Sequence, residues 1–266
     1  MQNSRYNKNF SMFYREQLTG QAKIYSRFIF DLIKDKPIEH SIIDYMCGTG
    51  ELLQYFKSKG WETTGIDLSE DMLNIAKKYD TQTKFICEDA TKYQADRRYG
   101  LAVSTTDALN HLASISDVKK VFENVYKSLK GCGYFIFDMN SPKGIESDNG
   151  YVSISNDRSI AIREGFVDSV NKVGFSRFQG CYDLKKDGNY IRFDNTIYNY
   201  MYDISEIVKL LEDVGFTLVE MRDGYSDTII DKNEINIDRI LFIAQKKSLV
   251  KKTLKLGTNK NNTFGY

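Results

Sequence analysis

Carboxylates stand at the ends of three consecutive strand-like segments. Asp44 lies in the apolar run SIIDYM before CGTG, Asp67 closes ETTGID nineteen residues after Gly48, and Asp89 closes TKFICED. Because the carboxyl ends of parallel strands meet at one edge of a sheet, we expect these groups to share a site. A carboxylate placed like Asp67 accepts both hydroxyls of a ribose, and Asp89 with the backbone of Ala90 suits an adenine amino group. The spacing therefore predicts an adenosine site.

The glycine loop argues against a ligand that carries phosphates. A dinucleotide fingerprint needs a third glycine, and Leu53 stands there when the count starts from Gly48 and Gly50. Glu51 falls in the first turn of the following helix, where a carboxylate repels a pyrophosphate. No P-loop lysine follows. A cationic nucleoside without phosphates fits best, and S-adenosylmethionine is such a ligand.

The elements that position these residues alternate between strand and helix from residue 22 to residue 140. This rhythm predicts an α/β, Rossmann-like, doubly wound sheet of seven mostly parallel strands, the last antiparallel. Residues 150–202 are rich in β-branched and aromatic residues, with turn signals at 155–157 and 186–189. They predict an antiparallel β subdomain inserted after the fifth strand.

Composition narrows the class of protein. Apolar residues make up 41% of the 266 residues, which is enough for a real core, and neither a membrane span nor an export signal stands out. The four cysteines form no Cys-x-x-Cys pair, so we expect no metal site and a reduced, cytoplasmic protein. Residues 239–266 hold seven of the 37 basic side chains and no acidic one, which leaves an acidic body that disfavours nucleic acid. The basic tail, 247–266, is either a disordered end or an arm for nucleic acid or membrane surfaces.

Four segments together resemble a known family. DYMCGTG, GIDLSEDMLNIAKKY, FICEDA and DALNHL are similar to successive motifs of the class I S-adenosylmethionine-dependent methyltransferases. The resemblance covers residues 42–142, and the layout is similar to bacterial small-molecule methyltransferases, a group that includes amino-sugar N-methyltransferases. One position departs from the family pattern, because Met46 stands where a glycine or alanine is usual. A methionine there predicts a displaced loop and a weaker cofactor affinity.

The resemblance implies roles for particular residues. His111, one of only two histidines, and Tyr14 are the expected catalytic side chains, although capping or packing remains open for His111 and helix packing for Tyr14. The aromatic N-terminal segment around Tyr14 corresponds to a lid. The expected cofactor-binding residues are Tyr14, Asp44, Met46, Cys47, Gly48, Gly50, Asp67, Leu68, Asp89, Ala90, Thr105 and Thr106.

These expectations define a domain plan and a function. Residues 1–40 form the lid, 41–145 and 203–246 the cofactor domain, and 146–202 the acceptor subdomain, in a monomer or homodimer. Methyl transfer is an in-line displacement that needs alignment more than acid or base catalysis. The only candidate bases are His111, Tyr14 and Asp138, and this shortage slightly favours an amine of a small molecule over a hydroxyl. The alternatives are an RNA methyltransferase that uses the tail and a cofactor-binding protein without activity.

Overall fold

The fold was obtained as a computed structural model that describes residues 6–183, 185–231, 233 and 236–247. Of the basic tail predicted for 247–266, residues 248–266 lie outside the described residues, so that prediction stays untested. Among the described helices, none has the length and apolar character needed to cross a bilayer.

Two sheets make up the strand content. The strands are β1 Ser41–Tyr45, β2 Glu62–Asp67, β3 Lys84–Cys87, β4 Tyr99–Ser104, β5 Leu129–Asn140, β6 Gly150–Asn156, β7 Ser159–Asp168, β8 Val173–Tyr182, β9 Ile191–Tyr200, β10 Phe216–Asp223, β11 Ile229–Ile230 and β12 Arg239–Lys246. The helices are α1 Lys8–Gln17, α2 Gly20–Ile33, α3 Glu51–Ser58, α4 Glu70–Tyr79, α5 Ile115–Ser128, α6 Pro142–Ser147 and α7 Ile204–Val214, with a 3₁₀ helix at Ala108–His111.

The main sheet confirms the predicted Rossmann-like topology. Its order is β11-β10-β12-β5-β4-β1-β2-β3, and β12 runs antiparallel to both of its neighbours. The two-residue β11 adds an eighth strand at one edge, which the sequence prediction of seven did not include. Helix α4 shows why the helices begin where they do: Ser69 caps it by accepting from the Met72 amide, and acidic residues fill its first turn.

The inserted antiparallel sheet, in the order β6-β7-β8-β9, confirms the predicted β subdomain. Its inner face packs on α1, where the Phe13 and Phe193 rings stack with centroids 4.3 Å apart. Tyr198 of β9 lies on the other face of this sheet and is 40% exposed.

Candidate active site

A cavity of about 640 Å³ lies at the carboxyl ends of β1 to β4, beneath the N-terminal segment. This volume is within the range of pockets that enclose a small ligand. The predicted residues on its wall are Tyr14, Asp44, Met46, Cys47, Gly48, Asp67, Leu68, Asp89, Ala90, Thr105, Thr106 and His111. Gly50 is absent from the lining, and its role is to turn the backbone into α3 at φ 79°.

The loop after β1 bends by three left-handed residues within five positions. Met46 has φ 66°, Gly48 φ 54° and Gly50 φ 79°. Glycine adopts this conformation freely, whereas methionine pays about 1–2 kcal/mol for it. Met46 thus holds a conformation that a glycine would adopt at lower cost, and the displaced loop stays a prediction.

Asp67 fastens the loop to the end of β2. Its Oδ2 accepts from the Gly48 amide and its Oδ1 from the Ser69 amide, each at 2.8 Å. Burial raises the pKa of this carboxyl, and the two amides oppose the shift. Each oxygen keeps a further lone pair, as bidentate acceptance from a sugar diol requires.

Asp44 is a buried carboxylate with no ion pair to the described part of the chain. It is only 3% exposed, and among the described residues its Oδ1 has no hydrogen-bond partner. Burial, followed by the negative charges of Asp67 and Glu51, raises its pKa well above the ordinary value. A buried orphan of this kind needs a cationic donor, and the amino group of S-adenosylmethionine is one. The residues present therefore fit this cofactor.

Glu51 does not present the open negative charge that the sequence suggested. Arg15 of α1 lies 2.6 Å from its Oε1, and the Thr49 hydroxyl donates to it. The pair is buried, with side chains 11% and 5% exposed. Repulsion by Glu51 thus loses most of its force as an argument against phosphates, while the missing third glycine at Leu53 keeps its force.

At the end of β3, Asp89 uses one oxygen to close its own turn. Oδ1 accepts from the Thr91 amide at 2.9 Å and from the Thr91 hydroxyl at 2.7 Å, and Lys92 lies 3.4 Å from Oδ2. Although partial burial raises the pKa of Asp89, the Thr91 bonds and Lys92 hold it below its usual range. The capping role is thus observed, and the contact with adenine stays a prediction.

His111 also lines the cavity. Its Nδ1 lies 3.0 Å from the Tyr198 carbonyl oxygen, which only accepts, so Nδ1 carries the hydrogen. In the neutral ring Nε2 is then a hydrogen-bond acceptor, and the Tyr6 hydroxyl lies 3.4 Å from it. Burial, then Glu51, Asp107 and Asp67, raise the pKa of Tyr14. Tyr14 therefore stays a phenol that donates, and it is a poor base.

The structure also contradicts Asp138 as a base. It is fully buried, and it accepts from the Thr106 and Asp107 amides, from the Tyr225 hydroxyl and from Arg239. With its acceptor positions filled, it cannot take a proton from a substrate. The sequence analysis missed Arg239 and Tyr225, since only the fold brings them to a carboxylate about a hundred residues away.

Comparisons with known proteins agree with the fold. Residues 42–133 match the family model described as a methyltransferase domain. The crystal structure of an S-adenosylmethionine-dependent methyltransferase from Clostridium acetobutylicum superposes with a TM-score of 0.77 at 24% identity, covering 90% of this chain and 98% of that one.

Two curated relatives complete the comparison. YqeM of Bacillus subtilis, named as a methyltransferase without a stated acceptor, is 29% identical over 227 residues, which is 80% of this chain and 87% of YqeM. A Streptomyces venezuelae dTDP-3-amino-3,4,6-trideoxy-alpha-D-glucopyranose N,N-dimethyltransferase is 26% identical over 111 residues, 41% of this chain and 47% of its own length. The matched domain, the relatives and the fold support an S-adenosylmethionine-dependent methyltransferase.

Proposed function

We propose that this enzyme transfers a methyl group from S-adenosylmethionine to the nitrogen of a small-molecule amine. The observation that carries the proposal is a single cavity lined both by Asp44, whose Oδ1 has no hydrogen-bond partner among the described residues, and by His111. The former suits a cationic cofactor, and the latter suits an acceptor that loses a proton.

We expect each part of S-adenosylmethionine to contact a different group on the wall of the cavity. Asp67 would take the ribose hydroxyls, Asp44 and the Gly48 loop the amino-acid moiety, and Asp89 with the Ala90 backbone the adenine. The cofactor supplies a methyl group already activated by a sulfonium. The chain's own task is then to align the acceptor and to exclude water.

The acceptor end favours an amine. A neutral amine attacks without prior loss of a proton, and His111 Nε2 then takes the proton that the product releases. Tyr14, held as a phenol, donates a hydrogen bond to the acceptor. A hydroxyl acceptor would need a stronger base, and Asp138 is unavailable for that role. The amino-sugar specificity of the S. venezuelae relative supports the same choice.

The proposal keeps the domain plan of the sequence analysis. Residues 1–40 act as the lid, 146–202 form the acceptor subdomain, and the cofactor domain is made of 41–145 and 203–246, in the cytoplasm. Nothing observed favours the RNA alternative, since its tail lies almost wholly outside the described residues.

The test is a screen for methyl transfer read by mass spectrometry. The full chain is incubated with S-adenosylmethionine and a panel of small amines, amino sugars among them, each paired with its hydroxyl analogue, with a separate RNA arm. We expect methylated amines, and no product from Asp67→Ala. Methylation confined to the hydroxyl analogues or to RNA would overturn the acceptor class. Cofactor binding with no product in any arm would point to a protein without activity.

A further inference from the structure

The turn after β4 holds two consecutive strained residues. Thr106 has φ 63° and Asp107 φ 49°, both in the left-handed region that side chains avoid. Thr106 is β-branched, for which this conformation is a genuine outlier. Such a turn persists only where its surroundings force it. Thr105 and Thr106 line the cavity, so the shape of the cavity depends on the contacts that hold this turn in place.

A buried charge cluster of Asp107, Asp138 and Arg239 holds the turn. Asp138 accepts from the Thr106 amide at 2.6 Å and from the Asp107 amide at 3.2 Å. Arg239, at the start of β12, donates to Asp138 through Nη1 and to Asp107 Oδ1 through Nη2 at 2.8 Å. One guanidinium therefore joins the end of β5 to the turn after β4.

The turn leads directly into the helix that carries His111. Asp107 is the N-cap of the 3₁₀ helix Ala108–His111, and its carbonyl oxygen accepts from the Asn110 amide at 2.9 Å. Asn110 also donates to the carbonyl oxygens of Asn140 and Tyr200. This second anchor keeps the helix attached when the charge cluster is disturbed, so the expected consequence is a displacement of His111.

We propose that Arg239 is a positioning residue for the acceptor half of the site: it fixes the turn at Thr106 and Asp107 and, through it, His111. The role of Arg239 in catalysis rests on the proposed function. Among the described residues, its side-chain hydrogen bonds and ion pairs go to Asp138 and Asp107 and not to Gly48 or Asp67, whose own hydrogen bond joins the ends of β1 and β2. Arg239 thus acts first on the turn after β4, which leads to His111, and not on the loop that Asp67 holds.

The chemistry requires arginine in particular. A planar guanidinium donates to two carboxylates at once in a fixed geometry, whereas a lysine ammonium is a point charge on a flexible stem. Arg239→Lys therefore keeps the charge that the buried Asp138 needs and loses the double contact. Arg239→Met removes both.

The experiment uses the full chain and needs no known acceptor. Hydrogen exchange of the Thr106 and Asp107 amides, the ring-nitrogen NMR signals of His111 and the affinity for S-adenosylhomocysteine are measured in Arg239→Lys and Arg239→Met. Arg222→Lys is the matched control, because Arg222 is also buried and pairs with Glu220 and Asp227. His40→Gln assigns the signals of the only other histidine.

In Arg239→Lys we expect exchange at both amides to rise roughly tenfold and the His111 signals to move, with the affinity for S-adenosylhomocysteine within about twofold of the parent. Arg222→Lys changes none of these. Unchanged exchange and unchanged His111 signals would overturn the proposal, as would a loss of affinity equal to that of Asp67→Ala. If Arg239→Met fails to fold, Arg239→Lys decides.

Once an acceptor is known, its KM rises in Arg239→Lys while the KM for S-adenosylmethionine stays unchanged. These readouts do not depend on turnover, so a failed acceptor screen leaves this test intact.

Discussion

The two ends of the cavity are built in different ways. At the cofactor end, Asp67 binds amides only 19 and 2 residues away, all within one β-α-β unit. At the acceptor end, Arg239 reaches Asp107 across 132 residues, and His111 reaches the Tyr198 carbonyl across 87. The first end depends on local geometry, whereas the second forms only when the lid, the insertion and the last strand have all docked.

The two ends are joined by α1. Its Tyr14 lines the cavity, while Arg15, one residue later, pairs with Glu51 beside the glycine loop. The segment that we propose as a lid is therefore tied to the glycine loop by this ion pair. Mutations that separate the two ends, or that uncouple them, test this arrangement.

Removing the coupling should have the largest effect. Arg15→Met leaves Glu51 buried without its counterion, and we expect the free energy of unfolding to fall by about 3 kcal/mol in urea titrations. Because the cost comes from the unpaired charge, the double variant Arg15→Met with Glu51→Gln should recover most of it. A single variant as stable as the parent would show that the pair contributes nothing.

The acceptor end is probed separately by His111→Asn. We expect kcat to fall about 100-fold because the proton acceptor is lost, while the affinity for S-adenosylhomocysteine measured by calorimetry stays unchanged. His40→Asn is the control, since His40 stacks on Trp61 outside the cavity and should leave both quantities as they are. Loss of cofactor affinity in His111→Asn would mean that the two ends are not separable.

The cofactor end should show a proton linkage at Asp44. Burial raises its pKa in the free protein, so below that pKa the carboxyl holds a proton that the cationic amino group displaces on binding. Affinity should therefore rise with pH from the ordinary range of an aspartate toward that raised pKa. Calorimetry of S-adenosylhomocysteine binding in buffers of different ionisation enthalpy should show proton release. Asp44→Asn should abolish the release and weaken binding about tenfold. Equal heats in all buffers would contradict the linkage.

The smallest effect is expected at Met46. Met46→Gly relieves a left-handed residue but adds freedom to the unfolded chain, so the free energy of unfolding should rise by no more than about 1 kcal/mol. The affinity for S-adenosylhomocysteine should rise a few-fold. A loss of stability would show that the Met46 side chain packs well enough to outweigh its backbone strain.

The same contrast explains what the sequence could predict. The main sheet, the inserted sheet and the roles expected of Gly48 and Asp67 follow from local patterns, since strand ends and loop spacing lie within one motif. The pairing of Arg239 with Asp107 and Asp138 could not be predicted from the sequence, because it depends on β12 pairing with β5. The prediction of an unopposed charge at Glu51 was wrong for a similar reason, because its partner Arg15 comes from a separate helix.

The measurement that bears most directly on the cofactor site is a calorimetric titration of S-adenosylhomocysteine into the parent and Asp67→Ala. Loss of a bidentate, charge-assisted contact should reduce binding by about 2–4 kcal/mol. Glu70→Ala, an exposed carboxylate in the first turn of α4, should bind like the parent. An Asp67→Ala protein with undiminished affinity would contradict the account.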